Sequence, residues 1–312
     1  MKKFILRVIC FGTSVVAAIG GCCAIELWQE VVTYYSREVI APEGACILVG
    51  NDSQTCDGID SDTYPQIFNF SAPARRMDQA CFALKDVLKA NPGRFKTVLV
   101  DLSPIAAVEK FDRPIAELGY AAQYYLLHWL HWRENARDMS GALKVCRDNM
   151  VGRRLRHFWR AVRGKKKFVS SIGGGFRPLD ECQLVQDPEY FRRQCDDRVR
   201  YFNSQPAVEP ESDIFRSVDA IGDAVKAAGA ELVLMTTPLH MQLVSACDRD
   251  KLCAFSETVR RYAASRNCRY LDFLREELES DCWFDAQHLN ARGARKFTKR
   301  LLKEFGYDGS KD

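Results

Sequence analysis

The sequence predicts an α/β protein built on a parallel sheet with helices on both faces. Three observations carry that expectation. Short, uniformly apolar runs alternate with longer amphipathic ones. The short runs are rich in valine, isoleucine and leucine, as strands buried on both sides must be. Helix start and stop signals fall between them. In order, Ala45 to Val49 is the first strand and Gln66 to Phe70 the second. Met77 to Ala90 has helical spacing and stops before Pro92-Gly93, and Thr97 to Leu102 is the third strand. Ile214 to Ala228 is a helix with Ser212 or Asp213 as its N-cap and Gly229 as its stop. Glu231 to Thr236 is the fourth strand, Phe255 to Ser265 a helix, Cys268 to Phe273 the fifth strand and Ala291 to Phe305 the last helix.

Residues 103 to 210 are too many for a simple crossover between the third and fourth strands. They read as a largely helical insertion: an aromatic-rich helix from Tyr120 to Trp132, a basic segment, a glycine run and the proline-containing linker Gln205 to Pro210. Gly173-Gly174-Gly175 lacks the Gly-Lys-Ser/Thr ending of a phosphate loop and reads as a flexible turn.

At 312 residues, 47% hydrophobic and 28% charged, the chain excludes disorder, collagen and a multi-span membrane protein. Lys2, Lys3 and Arg7 precede an uncharged apolar run from Val8 to Ile25, which reads as a signal anchor or signal peptide over residues 1–27. A helix from Glu26 to Val39 follows it. Ile19-Gly20-Gly21-Cys22 offers a second route, a lipoprotein acylated at Cys22, although leucine is more usual where Ile19 stands. Either route exports residues 28–312 to the periplasm or the extracellular side. The 13 cysteines contain no Cys-x-x-Cys pair, so a zinc ribbon is not expected. In an oxidising compartment Cys247 and Cys253 are spaced for a disulfide across a short loop, and the other reading makes the cysteines small buried hydrophobes.

The net charge of +4 conceals an asymmetry, because Arg147 to Phe168 holds nine Lys or Arg residues against one acid, Asp148. Arg153, Arg154, Arg156, Arg160 and Arg163 interleave with Leu155, Phe158, Trp159 and Val162, and Lys165, Lys166 and Lys167 follow. One helical face is apolar and the other cationic, which suits an anionic membrane or polymer or, equally, a solvated helix packed on a core. Nucleic acid is excluded, since an exported protein does not meet the genome.

Ligands of doubly wound sheets bind beyond the carboxyl ends of the strands. The first strand runs into Gly50-Asn51-Asp52-Ser53, which puts a hydroxyl in the turn leaving it. Far along the chain, Asp285 lies three residues before His288, a spacing that lets a carboxylate hold one imidazole nitrogen and free the other for Ser53. The bland alternative is an ordinary turn at Asp52-Ser53, with Asp285 and Asn290 capping local structure. His128-x-x-His131 lacks a third ligand, so no metal or cofactor is implied, and His240 falls in the loop after the fourth strand. Asn51 and Asn69 each open a glycosylation pattern.

The strand-Gly-Asn-Asp-Ser block and the block Asp-x-x-His-Leu-Asn-x-x-Gly-Ala at 285–294 resemble the SGNH (GDSL-type) hydrolases, more narrowly the membrane-anchored bacterial SGNH-like proteins. The resemblance covers residues 44–102 and 214–305. It implies a flavodoxin-like three-layer sandwich, with Ser53 as nucleophile, His288 as base and Asp285 as the orienting acid. It also implies oxyanion donors from the Ser53 backbone, from a glycine after the second strand and from an asparagine after the third. Here the second position reads Ser71-Ala72-Pro73-Ala74-Arg75 and the third Leu102-Ser103-Pro104, with neither residue present. Ala74 retains a backbone N–H for the purpose, and Arg75 or Arg76 is the candidate substitute or substrate clamp. The expected function is serine-dependent O-acyl ester hydrolysis or acyl transfer on a cell-envelope glycan or lipid. The competing expectation is a catalytically silent protein that binds an anionic polymer or membrane surface through the basic segment.

Overall fold

The computed structural model describes residues 27–107, 173–180, 186–209 and 212–307, with Thr13, Ser14, Ala17, Gly20, Gly21, Ala24, Ile25, Leu127, Leu130 and His131. The basic segment at 147–168 lies outside the described residues, as do most of the apolar run at 8–25 and of the expected helix at 120–132. Among the described residues no helix is long and apolar enough to cross a membrane.

The chain divides into two compact units, residues 1–40 with 113–173, and residues 41–112 with 174–312. In the first, a π-helical turn, Tyr34–Glu38, ends the helix that begins the described N-terminal stretch. The second is the α/β unit. Its strands are β1 (Ile47–Val49), β2 (Ile67–Asn69), β3 (Thr97–Asp101), β4 (Glu231–Thr236) and β5 (Arg269–Asp272). All pair in parallel in the order β2-β1-β3-β4-β5. This is the flavodoxin-like α/β sandwich, with each strand placed within a residue or two of its expected position. From β1 the chain crosses to one side for β2 and then to the other for β3, which opens a crevice at the carboxyl ends of these strands.

Burial explains the layers. Ile47, Val49, Leu99, Val233 and Met235 point to one face and pack with Trp283, Phe297 and Leu301. By the two-residue alternation of strands, the buried Leu48, Val98, Val100 and Leu234 point to the other. There α1 (Met77–Ala90) packs against α2 (Asp213–Ala227), which also touches β4. At one edge, β5 reads Arg-Tyr-Leu-Asp and is exposed or half-buried throughout, whereas β2 at the other edge is mostly buried.

Among the described residues four α-helices escape the sequence reading: Ser53–Gly58, Pro188–Ser204, Met241–Ala246 and the short Pro104–Ala107. The second packs on the third through a cluster containing Phe191, Cys195, Phe202, Leu243 and Val244. The helix expected from Phe255 begins at Arg249, capped by the Asp248 carboxylate on the amides of Asp250 and Lys251. Cys247 and Cys253 are not bridged. Cys247 closes the helix Met241–Ala246 and turns into the core, whereas Cys253 stands exposed on the next helix.

Candidate active site

The candidate nucleophile, Ser53, is placed by the turn out of β1. Gly50 packs closely there, since a Cβ would lie 2.4 Å from Leu84 Cδ2 and would have to push that side chain aside. Asn51 donates its amide to Ser71 Oγ at 3.1 Å and its side-chain Nδ2 to the Asp101 carbonyl at 2.6 Å, which ties the turn to the loops after β2 and β3. Asp52 caps the short helix Ser53–Gly58 by accepting from Gln54 N at 3.0 Å. Ser53 occupies the first helical position, where a backbone N–H has no intrahelical acceptor.

The candidate base, His288, arrives from the loop before the last helix, Ala291–Lys303. His288 Nε2 lies 2.9 Å from Ser53 Oγ, and Nδ1 lies 2.9 Å from each Asp285 oxygen. Asp285 Oδ1 also accepts from the amides of Gln287 and His288, at 2.8 and 2.9 Å. A bridge between Trp283 and Leu289 closes the loop. Asn290 caps the last helix through Gly293 N at 3.0 Å and donates to the Asp281 carbonyl at 2.8 Å. Gly293 permits this docking, because a Cβ would fall 2.0 Å from the Cys282 carbonyl oxygen. Burial pushes the Asp285 carboxyl up, but the hydrogen bond and charge of His288, with the two amides, outweigh it and hold the group below its ordinary value. Burial pushes His288 down, but the hydrogen bond and charge of Asp285, helped by Asp57 and Asp52, leave it above 6.5.

The remaining expected site residues fare differently. Ala74 is exposed and holds φ 55°, the left-handed conformation that glycine enters freely and an L-residue enters at about 1–2 kcal/mol. Arg75 is buried, with Nη1 donating to the Phe70 carbonyl at 2.5 Å and its guanidinium 5.5 Å from the Phe70 ring centroid. Arg76 pairs with Asp78 at 2.7 Å and starts α1 by donating its amide to Gln79 Oε1. Both arginines therefore serve local structure. After β3, the Ser103 hydroxyl accepts from Ile105 N at 3.3 Å, and the buried Asp101 takes Thr237 N at 2.7 Å. Burial first, and then the charge of Asp52, raise the Asp101 carboxyl well above its ordinary value. The two glycosylation patterns are structural. Asn51 and Asn69 are buried, and Asn69 Nδ2 bonds the carbonyls of Thr55 and Ile59 at 2.8 and 2.9 Å.

The glycine run is not a flexible turn where it joins the α/β unit. Gly175 N donates to the Ser71 carbonyl, Arg177 N to that of Cys56, and Ala291 N to that of Leu179, at 2.9, 2.9 and 2.7 Å. A Cβ on Gly174 would fall 2.2 Å from the Phe70 carbonyl oxygen and 2.7 Å from that of Ser71. Arg177 grips the buried Asp57 in a two-point ion pair at 2.7 and 2.6 Å. Residues 174–179 thus form a strap tying together the loop after β2, the nucleophile helix and the last helix. His240, at the far side, accepts from Gln242 N through Nδ1 at 3.3 Å and donates its backbone amide to Ala286.

The carboxyl edge of a doubly wound parallel sheet thus carries a serine, a histidine and an aspartate in hydrogen-bonded series, an arrangement able to activate a hydroxyl. No protein-family profile matches the chain, and no curated protein does. Among solved structures it is similar to a Bacteroides fragilis protein assigned as an acylhydrolase, at 11% identity and a TM-score of 0.42, over 88% of this chain and 94% of that one. It is also similar to a GDSL-like lipase from Bacteroides thetaiotaomicron, at 9% identity and a TM-score of 0.41, over 87% and 94% of the two chains.

Proposed function

We propose that the protein is a serine esterase of SGNH type, acting on O-acyl groups of a cell-envelope glycan or lipid. The observation that carries the reading is the unbroken relay Ser53 Oγ, His288 and Asp285, with both junctions at 2.9 Å. Ser53 Oγ attacks the ester carbonyl while His288 Nε2 takes its proton, and Asp285 holds the resulting imidazolium. The N–H groups of Ser53 and Ala74 receive the oxyanion. When the acyl–oxygen bond breaks, His288 returns the proton to the leaving alcohol. Water then releases the acyl group in hydrolysis, or a second hydroxyl accepts it in transfer. The apolar N-terminal run and the basic segment support an envelope substrate, since both suit a chain held near an anionic membrane.

A second reading, a silent binding protein, is favoured by Ser103, whose hydroxyl caps a local turn where a side-chain oxyanion donor is wanted. A fluorophosphonate probe separates the two. The esterase is labelled at Ser53, and Ser53→Ala abolishes the label. A folded wild-type chain that takes no label is the silent protein.

A further inference from the structure

The helix that presents Ser53 carries a second carboxylate on the same side. Asp57 follows Ser53 by four residues in the helix Ser53–Gly58, the spacing that sets two side chains one above the other. Asp57 is fully buried, and a buried carboxylate needs a partner. That partner is Arg177 of the strap, whose Nε and Nη2 donate to Oδ1 and Oδ2 at 2.7 and 2.6 Å. The Arg177 amide also donates to the Cys56 carbonyl, and Cys56 Sγ donates to the Gly175 carbonyl at 3.1 Å, so the fork is held against the helix from both chains of the contact.

Packing alone does not call for an ion pair at this position. Apolar side chains of similar volume join two elements as well or better, because desolvating both charges offsets most of their attraction. His288 supplies an electrostatic reason. After burial and the bond and charge of Asp285, the charge of Asp57 acts most strongly on that imidazole, ahead of Asp52. Other titratable groups reach this loop from the elements around it. Cys195 lies near Asp285 with its thiol pushed up to about 11, chiefly by burial. His240, whose amide bonds Ala286, is held below its ordinary value by burial. Arg292 of the last helix is paired with Asp281 at the surface.

We propose that Asp57 is a positioning residue for the relay, a second carboxylate that steadies the imidazolium formed when His288 takes the Ser53 proton, and that the Arg177 fork keeps it in place. Asp57 acts through His288 and touches no reacting atom. A negative charge favours the protonated ring, so removing it should lower the value of His288 and move the acid limb of reactivity to lower pH. The Arg177 charge left behind, on a half-exposed side chain, pushes the same way. This inference rests on the esterase reading, and the experiment separates the two.

The test follows the second-order rate of fluorophosphonate labelling at Ser53 through the histidine range of pH, in wild type, Asp57→Asn and the double variant Asp57→Asn/Arg177→Gln. Asp57→Asn keeps the size of the side chain and removes its charge. Its acid limb is expected about half a pH unit below that of wild type, less than the shift a charge in direct contact gives, and its plateau rate about threefold lower. The double variant replaces the ion pair by two amides and leaves no lone buried charge. Its limb is expected to move in the same direction by a smaller amount. A purely structural pair would lower the urea midpoint and leave the limb unmoved. A limb that stays in place or rises in a folded variant overturns the proposal, and so does failure of both variants to fold. A wild-type chain that takes no label overturns the esterase reading, and this one with it. Labelling at Ser53 with an unmoved limb overturns this one alone.

Discussion

The loops at 283–290 and 70–76 both flank the candidate site, yet they are held by opposite means. The first is local. Asp285 is fixed by the next three residues, Trp283 bridges Leu289, and Asn290 caps the helix that follows. The second is assembled from afar: Ser71 bonds Asn51, Thr55 and Gly175, and Gly174 presses against Phe70 and Ser71. A local loop keeps its geometry by sequence alone, whereas an assembled loop is only as good as its most distant partner. The proton relay sits on the first kind, and the proposed Ala74 oxyanion donor on the second.

Breaking the local loop should have the largest effect, and it should be chemical. Asp285→Asn should lower kcat by about 10³–10⁴, with the imidazole no longer held in its working tautomer. Its pH profile sharpens the point. His288 must be neutral to act as a base, and its value is raised in the free chain, so the acid limb of kcat/KM in the wild type should lie above the ordinary histidine range. Removing the carboxylate leaves burial as the dominant influence, and the limb should move to lower pH. A limb that stays in place would detach His288 from the reaction.

The assembled loop should break through stability. Gly174→Ala forces a Cβ against two backbone oxygens and should cost about 3 kcal/mol, seen as a lower urea midpoint. Gly175→Ala has open space and should cost far less. If the two variants unfold alike, the strap is not holding the loop. The smallest expected effect is at Ala74. Ala74→Gly relieves the left-handed strain but frees the unfolded chain, and the two nearly cancel, so stability should stay within about 1 kcal/mol of wild type.

The same contrast explains what could be read from the sequence. Strand runs such as Thr97–Asp101 and Glu231–Thr236 were legible because burial on both faces demands unbroken apolar residues. Asp285 and His288 were legible because their partnership spans three residues. The strap was not, since Gly174 and Arg177 act on Phe70, Ser71 and Asp57, more than 100 positions away. Nothing in Gly173-Gly174-Gly175 distinguishes a free turn from a segment pressed on a carbonyl. The helix Pro188–Ser204 did leave a signal, an Asp187 cap with proline and glutamate in its first turn, but only Phe191, Cys195 and Phe202 mark its buried side. Arg75 and Arg76 show the opposite case: arginine beside a site suggests a ligand, and the local contacts each also makes emerge only from packing.

The relay also has an order in time. Ser53 and His288 are 235 positions apart, and Thr97 of β3 pairs with Glu231 of β4 across the whole insertion. A ribosome delivers the hydroxyl early and the imidazole late. Throughout synthesis and the first steps of folding, Ser53 is an ordinary alcohol with no base to take its proton. On the proposed esterase reading, reactivity at that serine certifies a finished chain, and an unfinished one has no means to attack an ester.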